Sequence, residues 1–372
     1  MSEINSTTWP LDPHTKAKHD ILREYLKPWF PILSRYADRI IYLDGFAGPG
    51  VYSKDEEGSP VIAVRTAVEH TMRKNFKKIV FWFIEKNQQR FEKLQQVLKE
   101  KFPELENKDE DQIIYRVQKS EFSKSLEKTL DALELQGSKL APTFAFLDPF
   151  GFSGLPMNLI KRMLDYKKCE VLVTFMAGFV LRFHDELREN ALNELYATEE
   201  WKKVNEYKTP DEKRKFLLEL YVKQLKNIGG AKFIRTFEMI SSDNNTIYHL
   251  VYGTKHWKGL EVIKRAMLKV GHGGTYKFSD RTDPNQTFLL DYGRDEFWVP
   301  EVGKMIFQHF RGQQVPLETI NEFVITETPF LFKKTKVLTP LEKTNPPKIT
   351  NVSNRTTKRL DYPEGCIITF AK

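Results

Sequence analysis

The sequence predicts an α/β protein whose central sheet is mostly parallel. Five short apolar runs alternate with segments of helical periodicity, a pattern typical of buried parallel strands joined by helical crossovers. A glycine-rich turn follows the first run, and two further runs joined by a polar tip follow the fifth. With 372 residues, of which 40% are hydrophobic, the chain is long enough for two domains with sizeable cores.

The five apolar runs define the predicted parallel strands. Because they are short and continuous, we expect both faces of the sheet to be covered by helices. An amphipathic segment that begins at Thr15 predicts a further helix before the first strand, since its apolar residues recur every three or four positions. The strands are expected at residues 39–43, 78–84, 112–117, 143–147 and 170–175, and the helices between them around 60–74, 87–101, 121–135 and 156–166.

The pattern changes after the fifth strand. Residues 178–229 are charged and helical, which predicts a helical insertion. Residues 232–240 and 246–252 flank the polar cluster 241–245, which predicts an antiparallel hairpin. Five strand–helix units closed by such a hairpin are the order seen in class I methyltransferases, so we predict their Rossmann-like sheet. The strand count alone leaves other doubly wound folds open.

Three segments are predicted along the chain: a polar tail at 1–15, a methyltransferase-like domain at 16–296, and a winged-helix domain at 297–372. The last has three helical segments and then a strand–turn–strand pattern, as winged helices do. Thr328 before Pro329 is a favourable N-cap and N1 pair, so the third helix is expected to begin there. The other elements are expected at 300–310, 316–326 and 348–370.

Composition excludes several classes of protein. The only cysteines, Cys169 and Cys366, cannot build a disulfide framework or a cysteine-based zinc site. The histidines lack a ligand spacing such as His-x-x-x-His, and we predict no metal. The N-terminus lacks a basic segment followed by an apolar one, and no apolar run approaches the ~18–20 residues that span a bilayer. We therefore predict a cytoplasmic protein without membrane segments.

The strongest candidate site is the turn Asp44-Gly-Phe-Ala-Gly-Pro-Gly50 after the first strand. Its glycines permit a tight turn and the close approach of a ligand. The spacing Asp-x-x-x-Gly-x-Gly matches motif I of S-adenosylmethionine (SAM) enzymes and differs from the dinucleotide and P-loop patterns. A glycine-rich turn without a ligand is the alternative. The residues predicted to bind SAM are Asp44, Gly45, Phe46, Ala47, Gly48, Gly50, Glu85 and Glu121.

Two of these residues lie at the ends of later strands. Glu85 ends the second strand, where a carboxylate can accept two hydrogen bonds from a ribose diol. Glu121 follows the third strand, beside Phe122, where a polar group and a ring could hold an adenine. An ordinary solvated glutamate is the alternative for Glu85.

The fourth strand ends in Asp148-Pro-Phe-Gly151, which resembles motif IV of amino-methyltransferases. In that motif, Asp or Asn is followed by two prolines and an aromatic residue, and the carboxylate and a prolyl carbonyl accept the hydrogens of the target amine. We predict Asp148 and Phe150 as catalytic residues, although Phe150 stands in place of the second proline and Gly151 in place of the aromatic residue. A plain strand-end turn is the alternative. Cytosine C5 methylation is excluded because no cysteine nucleophile lies here.

The basic surplus of the chain lies near its end. Residues 328–360 contain eight Lys and Arg and a single acid, Glu342, whereas the whole chain has a net charge of +8. These charges fall on the predicted third helix and wing, which favours DNA or RNA as a partner. A solvated basic face or a protein-docking wing is the alternative. The predicted nucleic-acid contacts are Lys333, Lys334, Lys336, Lys348, Arg355, Lys358 and Arg359.

Several segments together resemble the three-Cys-motif partner protein family, TcmP. They are residues 18–25, 42–50, 58–60, 148–151, 248–254 and 327–330, and the resemblance extends from about Lys16 to the end. It implies a SAM-dependent methyltransferase-like domain, a winged helix, and a radical-SAM-like partner that bears a three-cysteine motif. It also implies positions for the site residues. Asp44, Gly45, Gly48, Gly50 and Glu85 would line the SAM site, Asp148 and Phe150 would face the acceptor, and Ser59 and Pro60 would lie near the mouth.

Two functions follow as hypotheses. The first is SAM-dependent methyl transfer to an amine nitrogen, in DNA or RNA, with the insertion at 178–229 shaping the acceptor side. The second is an inactive methyltransferase-like adaptor for the three-cysteine partner, which the altered motif IV favours.

Overall fold

The computed structural model describes residues 7–105, 108, 110–182, 188–271, 275–280, 295–355 and 360–372. These residues form two compact units. The first extends to Val270 and includes residues 276–280, and the second comprises the described residues from 295 onward.

A mostly parallel sheet forms the centre of the first unit, as predicted. Its described strands are β1 (Arg39–Asp44), β2 (Lys78–Glu85), β3 (Ile113–Lys119), β4 (Thr143–Leu147), β5 (Glu170–Phe175), β6 (Phe233–Ile240), β7 (Thr246–Thr254) and β8 (Lys277–Ser279). Their order is β3-β2-β1-β4-β5-β7-β6-β8. β1 to β5 are parallel, whereas β7 runs antiparallel to both β5 and β6. The short β8 pairs in parallel with β6 and was not predicted.

The chain reverses its direction across the sheet between β1 and β4. From β1 it proceeds to β2 and β3 on one side, and then returns to β4 and β5 on the other. In open α/β sheets such a switch point leaves a crevice at the carboxyl ends of the strands, where ligands bind. The predicted glycine turn follows β1 and the predicted acceptor residues follow β4, so both lie at this crevice.

Helices cover the sheet. In the first unit they are α1 (Pro13–Tyr36), α2 (Ser59–Val68), α3 (Gln88–Lys101), α4 (Phe122–Leu135), α5 (Met157–Leu164), α6 (Ala177–Arg182), α7 (Glu189–Tyr196), α8 (Pro210–Asn227) and α9 (Trp257–Val270). The insertion after β5 comprises α6, α7 and α8 with a 3-10 turn at Glu200–Glu206. No helix in the described ranges combines the length and hydropathy needed to cross a bilayer.

Neighbouring strand residues alternate between the two covered faces. Phe144 in β4 lies 4.6 Å from the ring of Tyr25 in α1, and α1 packs against α2 and α9. Ala145 and Leu43 face the opposite way, into a core shared with α4, α5 and the insertion. The sheet is therefore buried on both faces, as its continuous apolar strands predict.

The second unit combines three helices with a small sheet. Its elements are α10 (Asp295–Phe310), β9 (Gln314–Pro316), α11 (Leu317–Glu327), α12 (Lys334–Glu342), β10 (Ile349–Val352) and β11 (Ile367–Phe370). The strands are antiparallel in the order β10-β11-β9. Val302, Ile320, Leu338 and Ile368 are fully buried in its own hydrophobic core.

The predicted start of the third helix of this unit was wrong. α12 begins at Lys334, six residues after Thr328. The Thr328 hydroxyl donates to the Val324 carbonyl at 2.8 Å and accepts from the Phe330 amide at 3.1 Å. Threonine hydroxyls make such local backbone bonds readily, and here they end α11 instead of opening a new helix.

Candidate functional site

The turn after β1 is bonded to the strands on both sides of it. The Gly45 amide donates to the Phe146 carbonyl of β4, and the Ala47 amide donates to the Ile84 carbonyl of β2, both at 3.0 Å. The Gly58 amide donates to the Gly50 carbonyl at 2.8 Å and closes the loop before α2. The main chain of the turn is thus held across the crevice at the switch point.

Two glycines give this turn its conformation. Gly48 and Gly50 have φ of +62° and +81°, which other L residues adopt at a cost. A β-carbon on Gly48 would meet no atom within 4 Å, so the main chain there borders open space. One on Gly50 would lie 2.8 Å from Leu94 Cδ1. Gly48 is therefore where a ligand can approach the backbone, and Gly50 is where α3 packs against it.

The predicted residues Gly45 and Phe46 lie on the core side of the turn. A β-carbon on Gly45 would lie 2.7 Å from Phe122 and 2.8 Å from Leu147. The Phe46 ring, which is half-buried, lies 5.7 Å from that of Phe122. These contacts seat the turn against α4 and the end of β4.

The Asp44 carboxylate holds the turn from beneath. It is fully buried, accepts from the Ser59 hydroxyl at 2.7 Å, and accepts from the Phe46 amide at 3.2 Å. Burial raises the pKa of Asp44 to about 7. Ser59 and Pro60 are the first residues of α2 and are buried themselves, so this bond ties the start of α2 to the end of β1.

The Glu85 carboxylate joins the ends of β1 and β2. It accepts from the Gly48 amide at 2.9 Å and, through its other oxygen, from the Asn87 amide at 2.7 Å. Its residue is 7% exposed. Each carboxylate oxygen has a second lone pair, so Glu85 can still accept hydrogen bonds from a ligand beside Gly48.

Glu121, by contrast, is engaged on the surface. It precedes α4 and forms ion pairs with Lys86 and Lys124, both at 2.7 Å. Hydrogen bonds from these lysines lower the pKa of Glu121 to about 2. Phe122, its neighbour, is buried behind Gly45.

Asp148, after β4, is paired with a lysine from α1. Lys18 Nζ lies 2.5 Å from Asp148 Oδ2, and the two side chains are 5% and 24% exposed. The same ammonium lies 5.2 Å from the centre of the Tyr248 ring. The next residue, His19, is buried, and burial lowers its pKa to about 3. Lys18 lies in the first of the segments that resemble the TcmP family, but its pairing with Asp148 was not predicted.

Phe150 projects from the same segment into solvent. It is 60% exposed, and the ring of Trp9 packs edge-on against it at 5.7 Å. Trp9 also packs against Tyr52 at 5.9 Å, and the Arg90 guanidinium lies 5.1 Å from Trp9 and 6.0 Å from Phe150. Neither Trp9 nor Arg90 was predicted. The exposed Phe150 ring, with the half-buried Trp9 ring and a cation alongside, forms a surface on which a base can stack.

The chemistry of the crevice fits the predicted cofactor. SAM carries a ribose diol and a positive charge, and the crevice presents open backbone at Gly48 beside the Glu85 carboxylate, with Asp148 at the end of the neighbouring strand β4. The diol requires acceptors, which Glu85 supplies, and the positive charge favours the acidic surroundings.

Several of the predicted basic contacts in the second unit bond within that unit. Arg355 makes a bidentate ion pair with Glu342, at 2.6 and 3.0 Å, and Lys334 donates to the Tyr362 carbonyl at 2.7 Å. The ammonium groups of Lys333 and Lys348 lie 5.6 and 5.3 Å from the rings of Trp298 and Phe307. Lys336 is exposed on α12. Lys358 and Arg359 lie outside the described residues.

No protein-family model matches the sequence, and no curated protein matches it. Among solved structures, the chain is similar to Trm1 from Pyrococcus horikoshii, solved in complex with S-adenosyl-L-methionine, with 13% identity and a TM-score of 0.36. That match covers 70% of this chain and 61% of Trm1, so this chain spans about three fifths of its length. It is also similar to a precorrin-6y C5,15-methyltransferase from Geobacter metallireducens GS-15, with 10% identity and a TM-score of 0.28. That match covers 62% of this chain and 87% of the precorrin-6y methyltransferase. Because both TM-scores are low, the fold of this chain is defined by its own strand order and register.

The raised pKa of Asp44 predicts a pH dependence of stability. Between about pH 4 and 7, folded Asp44 holds a proton that the unfolded chain has lost, so its contribution to the free energy of unfolding falls as pH rises. Asp44→Asn removes this dependence. In urea denaturation, the stability of the wild type relative to the variant should decrease over this range, by at most ~1.4 kcal/mol per pH unit.

Asp38→Asn is the control for this measurement. The ion pair with Lys77 lowers the pKa of this exposed carboxylate, so Asp38 is ionised in both the folded and the unfolded chain between about pH 4 and 7, and its removal should leave the slope of the profile in this range unchanged. If the free energy of unfolding changed with pH in the same way for the wild type and Asp44→Asn, the titration assigned to Asp44 would be contradicted.

Proposed function

We propose that the first unit is a SAM-dependent methyltransferase that acts on an amine nitrogen of nucleic acid. The observation that carries the proposal is the placement of an open glycine turn, the Glu85 carboxylate and the Asp148 carboxylate at one switch point of the sheet. Such crevices are where open α/β sheets bind nucleoside ligands.

In this proposal the chain holds the cofactor with few groups. Gly48 lets the ligand reach the main chain, and Glu85 accepts from the ribose hydroxyls with the lone pairs that Gly48 and Asn87 leave. Asp44 is a positioning residue, because its oxygens are engaged by Ser59 and Phe46. SAM, when bound, supplies a methyl group on a sulfonium that is already a good leaving group.

The acceptor side needs positioning and removal of a proton. Asp148 Oδ2 is held by Lys18, so Oδ1 is the atom that would accept a hydrogen of the amine. The Phe150 ring would stack on the base that carries the amine, and Trp9 and Arg90 would extend that surface. Holding the amine in line with the methyl group accounts for most of the rate that a protein can add here.

The second unit is proposed to be a winged helix that binds DNA or RNA. Its order of helix, strand, two helices and two strands supports this, as does the lysine content of α12. Because Arg355 and Lys334 are bonded within the unit, we assign their main role to linking Asp361 and Tyr362 to α12.

One observation favours the second candidate function, an inactive adaptor. The ion pair with Lys18 engages the carboxylate that motif IV would present to an amine, and motif IV itself is altered at Phe150 and Gly151. In that case the unit would not transfer a methyl group, whether or not it binds SAM. It would serve as the partner of a radical-SAM-like protein with a three-cysteine motif.

Gly48→Val should abolish SAM binding. A branched side chain would project into the open space beside the turn, where we place the ligand. Isothermal titration calorimetry with SAM should give heat for the wild type and none for the variant. Heat of binding retained in Gly48→Val would contradict the assignment of the turn.

Gly137→Val is the matched control for backbone strain. Gly137 has φ of +60° and equally open surroundings, but it follows α4 away from the turn. It carries the same conformational cost without blocking the site, so its titration should resemble that of the wild type.

Asp148 should be required for methyl transfer but not for SAM binding. Removing Asp148 alone would leave the buried Lys18 unpaired, which commonly costs about 3–5 kcal/mol. The informative variant is therefore Lys18→Met with Asp148→Ala, because asparagine would keep an oxygen that can accept from the amine. With labelled SAM and nucleic acid, transfer should fall at least ~100-fold relative to Lys18→Met, with the heat of SAM binding unchanged.

The same assay separates the two candidate functions. Equal transfer by the single and double variants would contradict the role of Asp148. A wild type that binds SAM, transfers to no nucleic acid and co-elutes with a three-cysteine-motif protein would favour the adaptor.

A further inference from the structure

A basic groove lies in the first unit between the helical insertion and the hairpin of β6 and β7. Its volume is about 700 Å³. One wall is formed by α6, with Phe179 and Arg182, and another by the start of α8, with Lys208, Lys213 and Arg214. The tip of the hairpin closes the third side.

The described lining of the groove is positively charged. Among the residues that the structure describes, it contains four cationic side chains and no carboxylate. Arg214 pairs with Asp211 at 2.5 Å, whereas in the described part of the chain no ion pair involves Arg182, Lys208 or Lys213. Cations gathered in a recess produce a focused positive potential, which attracts anions.

The groove adjoins the acceptor side of the candidate site. Phe179 lines the groove, and its Cδ1 atom would lie 3.7 Å from a β-carbon on Gly151. Gly151 directly follows Phe150, the exposed ring on which a base would stack. The groove therefore begins, at Phe179, next to the stacking surface.

We propose that this groove binds the phosphate backbone of the acceptor nucleic acid, next to the nucleotide that enters at Phe150. The proposal rests on the proposed function and names the substrate contact that the insertion supplies. Phosphates are compact anions at regular spacing that lysine and arginine bind without reading sequence. A stacking ring beside the cations favours nucleic acid over an acidic protein, because every base has a face that can stack.

The test neutralises Lys208 and Lys213 together with glutamine. Lys208 is exposed and Lys213 is half-buried at the start of α8, and glutamine retains most of the aliphatic stem. The control is Lys203→Gln with Lys226→Gln, which removes the same charge from exposed positions of the insertion outside the groove. All variants retain the basic residues of the second unit, so a difference in binding between them arises from the first unit.

The probes are fluorescein-labelled single-stranded RNA and DNA of about 20 nucleotides, followed by anisotropy at about 50 to 200 mM salt. For the groove variant we expect binding to at least one probe to weaken about fivefold or more. The slope of log K against log salt should become shallower by about 1.4, as for two lost phosphate contacts. The control should bind like the wild type.

Labelled poly-glutamate is titrated in parallel as an acidic peptide probe. Four results would overturn the proposal: no binding of either nucleic acid by the wild type, unchanged binding by the groove variant, an equal loss in the control, or a loss of binding to poly-glutamate without a loss for either nucleic acid. The last would identify an acidic protein as the ligand. SAM titration of the same proteins separates this proposal from the proposed function. Absence of SAM binding in the wild type would reject the cofactor site but leave the result for the groove intact.

Discussion

The candidate site depends on how one short piece of main chain bridges two strands that are not neighbours. β1 lies between β2 and β4, and the turn after it donates one hydrogen bond to each of them, through Ala47 and Gly45. Gly48 then donates to the Glu85 carboxylate. Since these bonds use the amides and leave the outer side of Gly48 bare, the turn is rigid and open at once.

Three carboxylates converge on this crevice, and the chain accommodates each of them differently. Glu85 accepts two backbone amides, Asp148 pairs with Lys18, and Asp44 is buried with a raised pKa to which the charge of Asp148 contributes. Like charges in a poorly hydrated site cannot all ionise freely. The arrangement leaves Glu85 with free lone pairs beside the open space at Gly48 and makes Asp44 a support.

The sequence predicted the parts of this structure that follow from local pattern. Continuous apolar runs predicted the five parallel strands, and the polar tip at 241–245 predicted the hairpin of β6 and β7. The ion pair of Lys18 with Asp148 joins residues 130 positions apart, and no periodicity reports such a contact. Trp9 was assigned to a polar tail because its neighbours are polar, yet it packs against Tyr52 and Phe150. The misplaced start of α12 has a local cause, since threonine can end a helix as well as begin one.

The Lys18 ion pair, which at first favours an inactive site, is compatible with catalysis on geometric grounds. A carboxylate has two oxygens and about four lone-pair positions, and Lys18 occupies one oxygen of Asp148. The lysine is nearly buried, while the aspartate side chain remains 24% exposed, so the pair presents its acidic side outward. A fixed carboxylate loses less freedom when an amine binds than a mobile one would, which favours a near-attack geometry. In the proposed function, Lys18 is therefore a positioning residue, and α1 is the element that aligns the end of β4.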